Sequence, residues 1–443
     1  MNLNQPQSRI TAATYWLVGY LLVAMLCQLA LVYAPVTQFR IAIRIAAFAV
    51  SLLGLMAIAG KGRPHPSFWC GLAILFVVAA GLVHPNTNTP LAAFAQIGLY
   101  VAILGPLFWV PRLLVKPEDL RRVFALLWAF HTLSAIVGIL QVYYPGQFAG
   151  NLSTALTTQG DEYTEGLKIT LADGSRVYRP MGLTDSPGGA AGAGLNAFLF
   201  GMGFLTVSRR GFWQAAGIAT MAIGMFCVYL SYIRSILVMA GVIAIVYAFV
   251  LILAKRPYAA MRVGIVVPVV AVGAFLWATT IGGDNMVDRL STLVDEKPDQ
   301  VYHSQRGHFL EYTFETMLPE NPFGMGLGRW GMMNAYFGDP NNPDSTPVWV
   351  EIQWTAWVVD GGFPLMLLYV AAIAIAIVST GRVALRAEPW LAGWATVILA
   401  YDIGAVAVTF NYPLFIGQGG LEFWLLNAAI FAAGRDAFRR VVS

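Results

Sequence analysis

The segment Ser235–Ala254 reads SILVMAGVIAIVYAFVLILA, and none of its twenty residues carries a charge. Thr14–Ala34 and Val263–Ile281 are similar uncharged runs. At a helical rise of about 1.5 Å per residue, each run is long enough to cross roughly 30 Å of hydrocarbon. About twelve such runs follow one another along the 443 residues. The sequence therefore predicts an all-α protein that crosses a bilayer many times, as a single integral membrane domain over residues 1–443.

The composition excludes other broad classes. Hydrophobic residues make up 58% of the chain and charged residues 11%, whereas a soluble domain carries roughly 25% charged residues. The chain is therefore predicted to be neither a soluble enzyme nor a nucleic-acid binder. The three cysteines, Cys27, Cys70 and Cys227, all lie within apolar runs. They show neither a disulfide framework nor metal-ligand spacing, so we expect them to be packing residues.

The charges predict which way the chain is threaded. Hydropathy places twelve spans near residues 14–34, 41–59, 67–84, 91–110, 123–144, 188–207, 213–231, 235–254, 263–282, 352–380, 390–410 and 415–434. With both termini inside, 17 of the 27 Lys and Arg residues fall on the inner face, and the short outward loops hold only Arg40 and Arg234. Cytoplasmic loops are enriched in Lys and Arg, so the pattern favours an N-in, C-in topology.

This topology leaves two long outward segments, residues 145–187 and 283–351, that hold most of the polar side chains available for chemistry. Within the second, Ser304–Leu318 is predicted to be a short helix stopped by Pro319. A glycine-rich turn, Gly324-Met-Gly-Leu-Gly328, leads on to Arg329 and Trp330. The turn follows a helix and a proline rather than a strand, so we reject a dinucleotide-binding interpretation.

Four outward arginines are candidate anion ligands: Arg179, Arg234, Arg306 and Arg329. Guanidinium is permanently charged, and its planar fork matches phosphate oxygens. Arg234 is the sharpest case because apolar runs flank it on both sides, although it could instead extend to lipid phosphate. Arg289 and Arg329 are better interpreted as solvated loop charges paired with nearby acids. Arg179 and Arg306 could equally make structural pairs.

Other outward side chains could support catalysis. His308 shares a helix face with Glu311 and Glu315 by spacing, which suits a base with orienting carboxylates or a merely solvated face. Tyr302 and Trp330 could stack on sugar rings or belong to the interfacial aromatic belt. No group of residues has metal-ligand spacing, so we predict no metal and no cofactor.

Two acids, Asp402 and Glu422, lie inside the last two spans. Ionisable residues at such depth can belong to a proton relay in a transporter. They could also simply pair with an arginine such as Arg44, which lies in the second span. A twelve-span secondary transporter is thus an alternative function, although the two halves show no similarity of the kind common in transporters.

Three stretches together carry a resemblance: Arg179-Pro-Met-Gly182, Ser231-Tyr-Ile-Arg234-Ser235, and Ser304-Gln-Arg306 with the turn Pro322–Gly328. In order and placement they resemble the O-antigen polymerase and O-antigen ligase superfamily of bacterial envelope glycosyltransferases. The resemblance runs from about residue 176 to 370. It implies a multi-pass protein of the bacterial inner membrane whose active face is toward the periplasm. The two long segments would then be periplasmic loops.

The resemblance also implies the chemistry. Family members move a glycan from an undecaprenyl diphosphate carrier to a glycan or lipid acceptor without a metal. By this resemblance, Arg179, Arg234 and Arg306 would face the diphosphate. Fixed arginines would stabilise the negative charge that develops on it during the reaction. A nearby base would help the acceptor hydroxyl to attack with inversion.

One departure from the family pattern bears on the type of enzyme. Family ligases carry a His-Asn pair before the span that follows the large loop, and here that position holds Val350 and Glu351. Valine is no base, so either Glu351 takes the role or no strong base is used. The departure favours a polymerase over a ligase. Another lipid-linked glycan transferase, which would share the arginines, is a further alternative.

Overall fold

The computed structural model describes residues 12–33, 39–59, 62–113, 115–152, 156, 161–295 and 302–435. It confirms an all-α polytopic membrane fold. The helices are α1 Ala12–Tyr33, α2 Arg40–Leu53, α3 Phe68–Ala80, α4 Pro90–Trp109, α5 Pro117–Tyr143, α6 Pro145–Phe148, α7 Asp161–Gly166, α8 Gly189–Val207, α9 Gly211–Leu230, α10 Arg234–Leu253 and α11 Pro257–Asp295. A composite helix, α12, spans residues 303–320. It is followed by α13 Gly331–Phe337, α14 Gln353–Arg386, α15 Pro389–Val408 and α16 Gln418–Ala433.

Each of the twelve predicted spans coincides with one of these helices. Nine of the described helices are long and apolar enough to cross a membrane by length and composition. The other three, α2, α3 and α16, are shorter, with 14, 13 and 16 residues. The number of spans and the N-in, C-in topology therefore stay predictions. Four of the cations used to predict the topology, Arg9, Lys61, Arg439 and Arg440, lie outside the described residues.

Contacts between loops divide the molecule into two ends. At one end the second long segment meets short turns predicted to lie on the same face, through Asn88 with Ser345 and Tyr302 with Phe410. The first long segment lies at the same end, since the N–H of Asn151 donates to the carbonyl of Val32, near the end of α1, at 3.1 Å. At the opposite end, the backbone N–H of Gly62 donates to Arg112 at 3.2 Å. Because successive helices run in opposite directions, successive loops must lie at opposite ends of the bundle. The end that carries the long segments is called the loop end below.

Two glycines bend long helices near the loop end. In α11, Gly283 has φ 57°, and in α14, Gly362 has φ 61°. Such left-handed backbone is open to glycine at little cost. The second long segment was predicted to begin at 283, but helix continues beyond Gly283 to Asp295. The helix thus bends at the predicted boundary without ending there, and the start of the segment stays a prediction.

The loops contain a hairpin and π-helical turns that the sequence pattern did not predict. Lys168–Thr170 (β1) and Arg176–Tyr178 (β2) form a two-stranded antiparallel hairpin in the first long segment. In the second, α12 is π-helical over His303–Gly307 and Thr313–Met317, and α-helical over His308–Tyr312 and Leu318–Glu320. The helix was predicted to stop at Pro319. It continues to Glu320, because proline is tolerated in the first turn of the last α-helical stretch.

Helices α8 and α9 pack with their backbones close together. A methyl group added at Gly201 of α8 would lie 2.6 Å from the carbonyl oxygen of Gly217 in α9. Small residues at such crossings permit close helix approach in membranes, where apolar burial between helices contributes little. The chain enters α8 from the Arg179 stretch and leaves α9 toward Arg234. This helix pair therefore sets the spacing between those two arginines.

We expect Gly201→Ala to lower the stability of the protein in detergent by about 1–3 kcal/mol, because the added methyl overpacks the α8–α9 crossing. The measurement is the unfolding temperature of the purified protein. Gly241→Ala is the matched control, since a methyl there meets no atom within 4 Å and alanine favours helix. Equal unfolding temperatures for the two variants would contradict the close-packing account.

Candidate functional site

The second long segment is held against the membrane helices by its glycine-rich turn. The N–H of Met325 donates to Val359 of α14 at 2.8 Å, and the N–H of Phe363 donates to Pro322 at 2.8 Å. Gly326 has φ 94°, and a methyl there would lie 2.5 Å from the backbone of Asn86. The glycines thus let three pieces of backbone touch. This role in packing agrees with rejecting a dinucleotide site.

Arg329 and Trp330 hold the same segment in place. Arg329 is 7% exposed and donates to the carbonyl oxygens of Thr346, at 2.8 and 3.0 Å, and of Met325, at 2.9 Å. Burial lowers its pKa. The interpretation of Arg329 as a solvated charge was wrong, because these carbonyls draw its guanidinium inside. The indole N–H of Trp330 donates at 2.8 Å to Asp360.

Asp360 is a buried carboxylate that ties the loop to the bundle. It is 2% exposed and also accepts hydrogen bonds from Gln96 at 2.9 Å and Tyr100 at 2.7 Å, both in α4. A buried carboxylate needs such donors to offset its lost hydration. Arg329 and Trp330 were predicted to bind substrate, but both side chains are engaged within the fold. A part for either residue in substrate binding stays a prediction.

Arg306 and Glu351 form an ion pair. Nη1 of Arg306 lies 2.6 Å from Oε2 of Glu351, with the two side chains 36% and 21% exposed. The other oxygen, Oε1, accepts the indole N–H of Trp349 at 2.8 Å. Tyr302, also predicted to bind substrate, lies within electrostatic reach of Arg306 and donates to the carbonyl of Phe410 at 3.2 Å. Three residues predicted from the sequence are thus brought together at the loop end.

The histidines of α12 are arranged differently from the prediction. Glu311, expected to orient His308, instead lies 3.0 Å from Nε2 of His303. The π-helical turn at His303–Gly307 shifts the register, so spacing based on an ideal α-helix chose the wrong histidine. His303 and Glu311 are both more than half exposed, so their pairing contributes little stability. His308 is exposed and lies against Phe309.

At the loop end, two arginines from separate elements lie within electrostatic reach of a third. Arg179 follows β2, Arg234 begins α10, and Arg289 lies beyond the bend in α11. The charges of Arg179 and Arg234 both act on the Arg289 guanidinium. We call Arg179, Arg234 and Arg289 the arginine cluster. Arg289 was interpreted as a solvated loop charge, and only the meeting of these three elements reveals its neighbours. Charges of one sign gathered in this way favour an anionic ligand.

Tyr232 positions this cluster. Its backbone has φ 56°, unusual for a residue other than glycine, and its carbonyl accepts the Nε–H of Arg289 at 3.0 Å. Its hydroxyl lies 3.3 Å from the carbonyl oxygen of Gly282. Burial raises the pKa of Tyr232 to about 12, so the hydroxyl stays neutral. The turn before Arg234 is thus connected to the bend in α11.

Two buried side chains of α5 hold the stretch after Arg179. Gln141 accepts the N–H groups of Met181 and Gly182, both at 2.8 Å, and donates to the Gly182 carbonyl at 3.0 Å. The hydroxyl of Ser134 accepts the N–H of Leu183 at 3.0 Å. Sequence reasoning missed both residues. Polar side chains inside a predicted span were the available signal, because membrane helices seldom bury them without a partner.

The buried acids have partners other than those proposed. Arg44 pairs with Asp185, which also lies 3.3 Å from Arg40, so the suggested pairing of Arg44 with Asp402 or Glu422 was wrong. The reason is that Asp185, at the mouth of α8, lies closer to α2. Glu422 instead lies 3.6 Å from Nε2 of His131 and accepts from Gln418 at 3.0 Å. Asp402 accepts from Asn427 at 2.8 Å.

A cavity of about 390 Å³ connects several of these groups. Arg44, Asp185, Gln418 and Glu422 line it, together with apolar residues of α1, α2 and α5. Among the described residues, no group of three or more His, Cys, Asp or Glu side chains could hold a metal ion.

A comparison with protein families matches part of the chain. Residues 216–370 match the family model described as O-antigen ligase. The resemblance to the O-antigen polymerase and ligase superfamily is thereby confirmed, and the match supports an enzyme that acts on glycans in a membrane. The matched region contains Arg234, Arg289, Arg306 and Glu351, whereas Arg179 lies outside it. A search of curated proteins found no match.

We expect Trp330→Phe to destabilise the protein by about 1–3 kcal/mol, because buried Asp360 loses one of its hydrogen-bond donors. The second long segment should also be cut faster in limited proteolysis. Trp69→Phe is the control, since Trp69 is 74% exposed on α3. If the two variants resist heat and protease equally, Asp360 does not hold the loop through Trp330.

Proposed function

We propose that this chain is a metal-independent glycosyltransferase that polymerises a glycan carried on undecaprenyl diphosphate. The reaction would take place at the outer face of the bacterial inner membrane, with the loop end toward the periplasm. The observation that carries the proposal is the arginine cluster, which three separate elements bring together in a chain whose residues 216–370 match the O-antigen ligase family.

The arginine cluster suits the donor's leaving group. Transfer of the glycan breaks the bond between the anomeric carbon and the diphosphate, so negative charge develops on the phosphate oxygens. Guanidinium groups already in place stabilise that charge without reorganisation, as fixed donors do in other transferases. Each guanidinium can bind two phosphate oxygens at once. Arg179, Arg234 and Arg289 would therefore hold the diphosphate near the membrane boundary, where the lipid tail remains in the bilayer.

Glu351 is the proposed base. The carboxylate binds Arg306 through one oxygen and Trp349 through the other. A carboxylate oxygen can accept two hydrogen bonds, so each still has a position for an acceptor hydroxyl. Removal of the hydroxyl proton would help its oxygen to attack the anomeric carbon from the face opposite the diphosphate, with inversion. Arg306 has further N–H donors that could reach the donor phosphate.

The position of Glu351 favours polymerase over ligase. Family ligases are implied to use a His-Asn pair where this chain has Val350 and Glu351. Here the carboxylate, rather than an imidazole, lies in the ion pair with Arg306. A ligase, which would attach the glycan to a lipid acceptor, is the alternative within the same chemistry.

In a deletion strain, we expect surface glycan limited to a single repeat, and a plasmid copy of the gene should restore long chains. Copies with Arg234→Ala or Arg289→Ala should fail to do so, with turnover reduced roughly 10²–10³-fold because transition-state charge is no longer stabilised. Arg176→Ala is the control, since Arg176 lies on β2 and pairs with exposed Glu165. The measurement is the glycan ladder, beside an immunoblot for protein in the membrane.

Normal ladders from both variants would remove the diphosphate assignment. Full-length glycan that stays on the carrier in the deletion strain would show a ligase instead. An unchanged glycan profile in that strain would contradict glycan transfer altogether and favour the transporter alternative.

Glu351→Gln tests the base separately. Glutamine can still accept the Trp349 N–H but cannot take a proton, so turnover should fall by about 10²–10⁴-fold. The rate of chain extension by purified protein on a lipid-linked repeat is the readout. Glu311→Gln, which removes the 52% exposed carboxylate beside His303, should leave that rate unchanged. Full turnover by Glu351→Gln would give Glu351 a structural role.

A further inference from the structure

A large cleft opens at the end of the bundle opposite the loop end. Its volume is about 1340 Å³, and it lies where α5 begins, where α8 meets α9, where α10 meets α11, and where α14 meets α15. None of the residues proposed for glycan transfer lines it. Whatever this cleft binds is therefore distinct from the donor and acceptor at the loop end.

The rim of the cleft is strongly cationic. Arg121 and Arg122 come from α5, Arg209 and Arg210 from the α8–α9 turn, and Lys255, Arg256 and Arg262 from the α10–α11 turn and the start of α11. Glu388 is the one carboxylate among the lining residues. Lys and Arg at the inner face are expected for topology alone. Topology does not require that cations from separate turns surround a single cavity.

The backbone at Lys255 indicates that its side chain matters. Lys255 has φ 58° just after the end of α10. This position of a helix end commonly holds glycine, because other residues adopt left-handed backbone only with strain. Strained residues that persist tend to belong to functional sites. Lys255 is one of the residues that line the cleft.

The floor of the cleft is apolar and aromatic. Phe124 and Trp394 stack with ring centroids 4.7 Å apart, and Phe204 packs edge-on against Trp394 at 5.3 Å. At the rim, the Arg121 guanidinium lies over the Trp390 ring, 5.4 Å from its centroid. The apolar floor suits the hydrocarbon part of a ligand, and the cationic rim suits a phosphate on the same molecule. A small soluble anion would use only the rim.

We propose that this cleft binds an anionic phospholipid of the surrounding leaflet, with the headgroup phosphate among the rim cations and the upper acyl chains along the aromatic floor. Basic pockets between membrane helices bind such headgroups in other proteins. The lipid would connect the ends of helices whose opposite ends carry Arg234 and Arg289. The proposal does not depend on glycan transfer.

The test compares lipid binding to the purified full chain by native mass spectrometry and by the rise in unfolding temperature. The probes are phosphatidylglycerol, phosphatidylcholine and inorganic pyrophosphate. A triple variant, Arg209→Gln/Arg210→Gln/Lys255→Gln, removes three cations of the rim. Its affinity for phosphatidylglycerol should fall on the order of 100-fold, since each Lys or Arg near an anionic lipid raises the affinity about fivefold. Arg63→Gln/Arg382→Gln/Arg386→Gln removes three cations that do not line the cleft and should bind as the unaltered protein does.

Retained binding in the cleft variant, or equal loss in both triple variants, would overturn the proposal. Equal binding of phosphatidylcholine would show that phosphate charge is not recognised, and a larger response to pyrophosphate would assign the cleft to a soluble anion. Arg209→Lys/Arg210→Lys keeps the charge and should bind normally. It thereby separates loss of charge from damage to the fold.

Discussion

A bilayer admits charged side chains only where they reach water at a helix end or bind a partner inside the protein. The structure depends on this constraint. Arg234 begins α10 and Arg179 precedes α8, so their guanidinium groups lie at the loop end. Asp360, which lies deeper, accepts three hydrogen bonds from other side chains. Since long apolar helices leave few other places for polar groups, each end of the bundle becomes a chemically distinct surface.

Backbone geometry helps to order the loop end. Left-handed glycines bend α11 and α14 and allow the turn before Arg329 to touch other backbone directly. Gln141 then accepts the backbone N–H of Met181, after Arg179, and the carbonyl of Tyr232 accepts the Nε–H of Arg289. These contacts hold charged side chains in place before a ligand arrives. Such preorganisation is what makes fixed charges effective in catalysis, because little reorganisation is needed during the reaction.

Both ends of the molecule are suited to phosphate, but in different settings. At the loop end, arginines accompany a carboxylate, Glu351, that binds Arg306. That combination can stabilise a leaving group and accept a proton. At the opposite end, the cations surround an apolar, aromatic floor with a single lining acid, Glu388. That combination can hold a lipid but offers little for proton transfer. This contrast is why we propose glycan chemistry at the first end and lipid binding at the second.

Hydropathy along the chain determined the fold class and the location of all twelve predicted helices, because an uncharged run of about twenty residues is stable in lipid only as a helix. It also showed which arginines lie at helix ends. Only the tertiary structure decided the partners: Arg289 joins the cluster, Glu311 pairs with His303, and Arg44 pairs with Asp185. The physical reason is that hydropathy is a property of neighbours in sequence. The partner of a charge depends on which helix ends meet in space, and close backbone packing and glycine bends set those meetings.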